Sequence, residues 1–544
     1  MSSEDDVIES VVKLYDGVGL WGHPQIQVNV VPPPTAISIA AAALAARYNE
    51  NSIWDRYGMS AAQSEVIAIG MLADLIGFDK TKAGGIFTFG GTGCNLYAAR
   101  IGIEKSDPDA KHTGIRDRIH FFCSDVSHYS IKSSAIWTGV GLNNIKIIPS
   151  DDDNSMDVAE LKTAMDETVS SGARIGTIFA TMGTTDAFGI DPLKEIVKLR
   201  DKIQKTVQYK INVHADAVIG WPFLTFRGDK SVRHLSPPLQ KEVLSTVSKI
   251  SELPYADSVG IDFHKTGWSP YLCSAFVVKD KNDLFMLQKL KKEMPYLYHK
   301  SGYQPGTFTL ESSRPNYAQK ALVNMMLMEK EGYETLIVHL LTIADYLREK
   351  IVENDHIALL NRHNTAFVTD FRIYPKTMYA DEGLLFEKEL HDITSEEFTE
   401  QINRYNQRIA EHMNIVGTFR VRKLYLVIPE PLFEEIKNSE LLKVGDTDLR
   451  SELADAALGQ EMVTEAAMDI VFTAEYQRTT VKYGERGIRY VHAEAGCATQ
   501  NVYLQATSLG LGTVVIGAFY DDQVEEIMNI EEEPLYIMPI GGGA

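Results

Sequence analysis

The residue best placed to do chemistry is Lys265, which closes Asp262-Phe263-His264-Lys265 inside the stretch SVGIDFHKTGWSPY (Ser258–Tyr271). An apolar, strand-like run with Val259 and Ile261 leads into it, and Gly267 and Pro270 break the backbone just beyond. A free ammonium at the end of a buried strand is costly. A deprotonated lysine amine in the same place can form a Schiff base with a carbonyl compound. A lone His-Lys pair reads more simply as a solvated strand end, so Lys265 gains a chemical role only from what the rest of the chain supplies.

Three other stretches supply it. Phe89-Gly90-Gly91-Thr92-Gly93-Cys94-Asn95 opens the helical run LYAARIGIE. Glycines let a backbone approach an anion, the free amides of a helix N-terminus point at it, and Thr92 adds a hydroxyl. No Lys-Ser/Thr follows the glycines, so this is not a Walker phosphate loop; alone, it is an ordinary tight turn. His128, in Ser127–Lys132, follows the strand-like run HFFCS. Loops at the ends of parallel strands are where sites gather in open α/β folds, and a flat imidazole there could stack on an aromatic ring or cap the next helix. Asp216, in Val213-His214-Ala215-Asp216-Ala217, should be buried. A buried carboxylate needs a cation or strong donors. A protonated pyridine nitrogen would serve and would make its ring an electron sink, with Ala217 small enough to lie against it. An arginine would serve as well.

In order, the chain presents a Gly-rich turn, His128, the turn Gly183-Thr184-Thr185, His-x-Asp-Ala and His264-Lys265. This series resembles the group II pyridoxal-phosphate-dependent amino-acid decarboxylases. HKTGWSPY and GTFTLESSRPNYAQKAL (Gly306–Leu322) look most like the bacterial tyrosine-decarboxylase-like members, and the resemblance covers residues 20–420. It implies an α/β, fold-type-I, aspartate-aminotransferase-like chain with a small α+β domain, forming a homodimer with its sites at the subunit interface. It implies release of CO2 from an aromatic or apolar L-amino acid, leaving the amine. A decarboxylating aldehyde synthase and a bifunctional decarboxylase–flavin dehydrogenase are the alternatives.

By the same resemblance, Lys265 carries pyridoxal phosphate, Asp216 faces the pyridine nitrogen, and His128 and Ala217 lie against the ring. Thr92, Gly93, Cys94 and His264 hold the phosphate, Thr307 approaches it from the partner subunit, and His214 stands behind the site. Cys94 falls where related enzymes often carry a hydroxyl residue, which puts a role for its own side chain in doubt. A tyrosine on a mobile loop after the lysine delivers a proton to Cα in the family. Lys291–Gln304 fits such a lid, with Tyr296 and Tyr298 both candidates. Arg314 pairs either with a substrate carboxylate or with structural groups.

The elements that must position these residues are legible in outline. Residues 1–55 read as an arm, broken at Pro32-Pro33-Pro34 and carrying an alanine-rich helix over Ala36–Tyr48. A helix over Met59–Ile76 is expected, with Ser60 as N-cap. From Phe87 to Val278 short apolar runs alternate with helical patterns, which argues for a mostly parallel sheet covered by helices. Tyr317–Glu353 reads as a long helix, Thr365–Ile373 as a strand and Thr394–Met413 as a helix. The expected domains are a cofactor-binding domain over 56–335, a small domain over 336–424 and a separate segment over 425–544.

That last segment departs from the decarboxylase pattern. DIVFTAEYQRTTVKYGERGIRYVHAEAGCATQNVYLQATSLGLGTVVIGAFYDDQ resembles the C-terminal half of nitroreductase-fold flavoproteins of the SagB type. Ala493–Leu509 reads as a helix with small residues on one face, and Leu511–Phe519 as a strand and turn whose amides at Gly517 and Ala518 could face a flavin. The Arg-rich phosphate segment of the other half has no counterpart between residues 414 and 450, and Arg478, Arg486 and Arg489 fall in a loop-like stretch. Cys497 stands where related sequences often have His. The segment is expected to be assembly material, with no FMN of its own; the less favoured reading is a flavin domain completed by a flavoprotein partner.

The bulk numbers bound the partners. A chain of 544 residues is too long for one core. Its net charge of −21 argues against a nucleic-acid face and against an anionic membrane surface. The four cysteines show neither metal-ligand spacing nor a disulfide framework. The acidic start MSSEDDVIES lacks the pattern of a signal peptide, and Ala36–Ala46 is too short to span a bilayer, so a cytoplasmic protein is expected.

Overall fold

The computed structural model describes residues 4–14, 31–228, 232, 235–289, 292, 294, 302–354, 356–361, 366–375, 396–416, 424–427, 448–508, 511–530 and 532–542. The chain divides into two compact units, one over Gln27–Arg408 and a second that includes Ile409–Ala544.

The first unit is built on a seven-stranded sheet: β1 (Gly84–Thr88), β2 (Ile119–Ser124), β3 (Ile145–Ile148), β4 (Arg174–Thr181), β5 (Asn212–Asp216), β6 (Ser258–Asp262) and β7 (Ser274–Val278). Their order is β1-β7-β6-β5-β4-β2-β3. β7 runs antiparallel to both β1 and β6, and every other pairing is parallel. The C-terminal ends of β1, β2, β4, β5 and β6 therefore open on one edge, and the residues that follow them share it.

The strands are mostly apolar because both faces of the sheet are covered, and the polar residues Asn212, His214 and Asp216 of β5 are buried with them. Phe121, Cys123, Phe179 and Phe276 pack on one side with Ala98 and Ile101 of the Gly91–Ser106 helix and Ile131 of the Ser130–Thr138 helix. Phe122, Ile178, Ala180, Ala215, Ile261 and Val277 pack on the other, with the helices Gln63–Ile76, Val158–Ser170, Leu193–Gln204 and Pro237–Ile250. Burying one such Phe stabilises the fold by about 1.5–3 kcal/mol.

Ser60 does not cap the second helix. Met59–Ala62 forms a 3-10 turn and the α-helix starts at Gln63, with no side chain capping it. The long helix, Ala318–Val352, is two helices joined at Glu329, whose φ of 49° lies outside the helical region. The strand expected over Thr365–Ile373 is shorter: β9 (Phe371–Ile373) pairs with β8 (Ile357–Leu359), and Ala366–Asp370 belong to no strand. The helix beyond it covers Glu396–Val416.

In the second unit four strands take the order β10-β11-β13-β12: β10 (Leu424–Val427), β11 (Met468–Ala474), β12 (Leu511–Thr513) and β13 (Glu533–Gly542). Alternate residues of β11 face two small cores. Val471 packs with Leu453, Val463 and Ile537, while Ile470 and Phe472 pack with Ala498, Met538 and Ile540. The small-residue helix covers Arg486–Ser508, with Ala495, Ala498, Thr499 and Ala506 buried. Arg486 and Arg489 are thus helical, as is Arg478 in Gln477–Tyr483.

Candidate active site

The glycine turn joins β1 to the Gly91–Ser106 helix. Gly90 has φ 108°, which only glycine adopts freely, and a side chain at Gly93 would collide with Thr88. No side chain caps the helix at Gly90, which leaves its first turn open to an anion. Thr92 lies in that first turn and is exposed. Cys94 does not present its side chain there. Its buried thiol reaches back to the Ala275 carbonyl at 3.4 Å, and burial, with Asp262 and Asp216 nearby, holds its pKa well above the usual thiol value.

Asp216 ends β5, fully buried. Asn95, one turn into the helix, donates to its Oδ2 at 2.9 Å, and the Val218 amide approaches Oδ1 at 3.4 Å. Among the described residues no lysine or arginine comes within ion-pair distance of it. Burial raises its pKa, against the opposing pull of Asn95 and the Lys265 charge. Ala217, next in the chain, is buried.

His128 follows β2. Its Nδ1 lies 2.8 Å from Ser130 Oγ and also accepts the Ser130 amide at 3.2 Å. Asn95 Nδ2 donates to the same Ser130 hydroxyl at 2.9 Å, which completes a hydrogen-bonded line from His128 to Asp216. Burial lowers the His128 pKa; Asp216 opposes this and Lys265 reinforces it.

Lys265 lies three residues beyond β6. Its Nζ stands 3.0 Å from Oδ2 of Asp262, the last residue of that strand. Burial alone would lower the amine's pKa, but the charge and hydrogen bond of Asp262, with Asp216 behind, leave it above the ordinary lysine value. Asp262 also accepts the Ser274 hydroxyl at 2.5 Å and lies 3.5 Å from His264 Nε2. His264 is held through Nδ1 by the Cys273 backbone and packs its ring 4.6 Å from that of Tyr271; burial depresses its pKa. His214 is buried behind the site, bonded through Nδ1 to Ser258, and burial lowers its pKa to about 3.

The sheet edge thus gathers Thr92, Gly93, His128, Asp216, Ala217, His264 and Lys265. Thr307 is buried in a 3-10 turn, where its hydroxyl donates to the Gln304 carbonyl. Tyr296 and Tyr298 lie outside the described residues. Arg314 is committed to structural groups: fully buried, it pairs with Glu65 at 2.6 Å and donates to the carbonyls of Phe87 and Ser52. Asn95, Ser130, Asp262 and Lys320 are the residues that sequence reasoning missed. All four sit inside stretches already singled out: Asn95 closes the glycine run, Ser130 lies in Ser127–Lys132, Asp262 opens Asp-Phe-His-Lys and Lys320 falls in Gly306–Leu322. The buried amine of Lys320 caps the carbonyls of Pro270, Tyr271 and Leu272 at 3.2, 3.3 and 2.7 Å, fixing the loop beyond Lys265.

These groups fit pyridoxal phosphate. The uncapped glycine turn suits its phosphate, the buried Asp216 without a cation suits a protonated pyridine nitrogen, and Lys265 suits its aldehyde.

Comparison with known proteins gives the same reading. Residues 2–373 match the pyridoxal-dependent decarboxylase conserved domain, and residues 398–542 match the nitroreductase family. An acidic amino acid decarboxylase from Bos taurus is 29% identical over 329 residues, 59% of this chain and 58% of its own. A putative nitroreductase from Methanocaldococcus jannaschii is 48% identical over 118 residues, 22% of this chain and 56% of its own. The chain thus spans little more than half the length of these relatives. The crystal structure of mouse CSAD in apo form superposes with TM-score 0.65 at 19% identity, covering 77% of this chain and 81% of that one, which shows a shared fold. With a lysine, a buried aspartate and a glycine turn on one sheet edge, and a family match over two thirds of its length, the chain belongs to the pyridoxal-dependent decarboxylase family, of fold type I, and continues into a segment of the nitroreductase family.

Proposed function

We propose that this chain removes the α-carboxyl group of an L-amino acid as CO2 and releases the amine. The observation that carries this is the placement of Lys265 and Asp216 beyond and at the ends of the adjacent parallel strands β6 and β5, facing the uncapped turn after β1. Bound there, pyridoxal phosphate supplies an electron sink for the charge left at Cα. Asp216 keeps the pyridine nitrogen protonated, His128 and Ala217 line the ring, and Lys265 supplies the amine that holds the cofactor. The test is to incubate the full chain with pyridoxal phosphate and a panel of L-amino acids and to measure CO2 and amine. Lys265→Ala is expected to reduce both to background while the chain stays folded; product formation by that variant at the wild-type rate would overturn the reading.

We further propose an aromatic or apolar substrate. Among the described residues, two buried cations of the segment after the expected lid, Arg314 and Lys320, are committed to Glu65 and to backbone carbonyls. The bovine relative, named for acidic amino acids, favours the contrary reading. A kcat/KM for L-aspartate or L-glutamate above those for L-tyrosine, L-phenylalanine and L-leucine would decide for the latter.

A homodimer in the cytoplasm is the expected setting. Val66, Ile67, Met71, Ile136 and Trp137 expose apolar surface on helices of the first unit, which favours a covering subunit. The buried free thiols of Cys94, Cys123 and Cys273 suit a reducing compartment. The nitroreductase match supports a second reading, a flavin-dependent step in the tail. We expect none from this polypeptide alone, because little more than half of the nitroreductase relative has a counterpart here. One FMN per purified chain, read from its visible absorbance, would establish the second reading.

A further inference from the structure

Asp262 is a puzzle for an anion site. A β-carbon built on Gly91 would stand 3.1 and 3.3 Å from the two Asp262 oxygens, so this carboxylate faces the glycine turn itself. It is fully buried, and its partners are Ser274 Oγ at 2.5 Å, Lys265 Nζ at 3.0 Å and His264 Nε2 at 3.5 Å. Lys265 is the only one of these with a standing positive charge. A buried carboxylate deprived of its cation is strongly disfavoured, so Asp262 must keep the amine charged. A charged amine is no nucleophile, and the lysine must lose its proton before it can take up a carbonyl.

We propose that Asp262 gates cofactor capture: it holds Lys265 as an ammonium in the cofactor-free chain and accepts that proton when the lysine condenses. The inference rests on the pyridoxal phosphate assignment above. The step balances without a further reactant. One proton passes from Nζ to the Asp262 carboxylate; the freed amine adds to the aldehyde carbon, forming the C–N bond; the carbonyl oxygen leaves as water, carrying the second and third protons of the former ammonium; and a C=N bond remains. No oxidant or reductant is involved. The proton on Asp262 also removes a negative charge from the side of the turn that receives the phosphate.

The other groups facing Lys265 are Asp216 from β5, Tyr271 from the following loop, His128 from the loop after β2, His264 beside it and Cys94 from the helix. Of these only Asp216 adds negative charge where the thiol and phenol remain protonated. It already holds the Asn95 amide, and Asp262, at 3.0 Å, is the nearer carboxylate.

The test uses the full chain freed of cofactor, as wild type and as the isosteric Asp262→Asn. Two rates are followed against pH: labelling of Lys265 by an amine-specific reagent, read by peptide mass spectrometry, and uptake of pyridoxal phosphate, read by absorbance and by borohydride trapping at Lys265. Asp262→Asn is expected to move the midpoint of both profiles down by about one pH unit or more, the tenfold change in free amine that a lost ion pair produces. Asp262→Glu, which keeps the charge, should restore the wild-type midpoints. Unchanged or upward midpoints in Asp262→Asn would overturn the gate. Labelling that shifts as expected while no cofactor is trapped at Lys265 in any variant would keep the ion pair but overturn the gate, and would point to failure of the cofactor assignment itself.

Discussion

Asn95 and Asp216 meet at 2.9 Å, and the same amide nitrogen of Asn95 reaches Ser130 Oγ at 2.9 Å. Because Ser130 receives that donor, its own proton is free for His128 Nδ1, which also accepts the Ser130 amide. Two donors at Nδ1 leave the imidazole proton on Nε2. Histidine-labelled protein should therefore show the Nε2–H tautomer of His128 by nitrogen NMR, and Ser130→Ala, which loses the hydroxyl but keeps the backbone amide as donor to Nδ1, should retain that tautomer. A wild-type signal from the Nδ1–H form would contradict the line of bonds.

Asp216→Ala should cut kcat by about a hundredfold or more while cofactor retention changes little. In the proposed function its carboxylate would act on the pyridine nitrogen, whereas the turn and Lys265 would hold the molecule. Asn95→Ala removes one bond to a charged group, worth about 1.5–3 kcal/mol, and should lower kcat by about ten- to a hundredfold. Steady-state kinetics beside cofactor absorbance separate the two effects. A near wild-type kcat in Asp216→Ala would show that another group meets the nitrogen.

Arg314→Met should destabilise the chain by about 3–5 kcal/mol, because it leaves Glu65 buried without its cation. Replacing both, as Arg314→Met with Glu65→Leu, should recover part of the loss. Urea unfolding reads this directly. A single-variant cost below about 1 kcal/mol, the range of an exposed pair, would mean that the pair does not tie Gln63–Ile76 to the sheet.

His214 sets a pH dependence of stability. Its pKa in the folded chain is about 3, against an ordinary 6.5, because burial excludes the charged form. The unfolded chain takes up a proton below pH 6.5 and the folded chain does so only near pH 3. Stability therefore falls as pH drops through that window, by up to about 1.4 kcal/mol per unit from this residue. His214→Asn should flatten the curve of unfolding free energy against pH between 6.5 and the acid limit of folding; parallel curves for the two proteins would refute the assignment.

The local pattern determined much of this protein. Apolar runs alternating with helical periods specify a covered, mostly parallel sheet, because a strand buried on both faces has no polar side to display. The residues at strand ends, Asp216 and Lys265, and the glycine turn carry their chemistry in their types, and parallel connections bring such ends together. Cap and boundary positions were less legible: Ser60 lies in a 3-10 turn, and the long helix breaks at Glu329 itself, three residues before Gly332. Only the tertiary structure decided the partners. Arg314 could serve a substrate or a core until Glu65, 249 positions away, was brought against it. Cys94 could face the phosphate until its thiol turned to the Ala275 carbonyl. Asp262 and Asn95 stood in view inside their motifs, yet a carboxylate or amide acquires its role from the group placed opposite it. That distance is set by how strands and helices pack, not by the residues on either side in the chain.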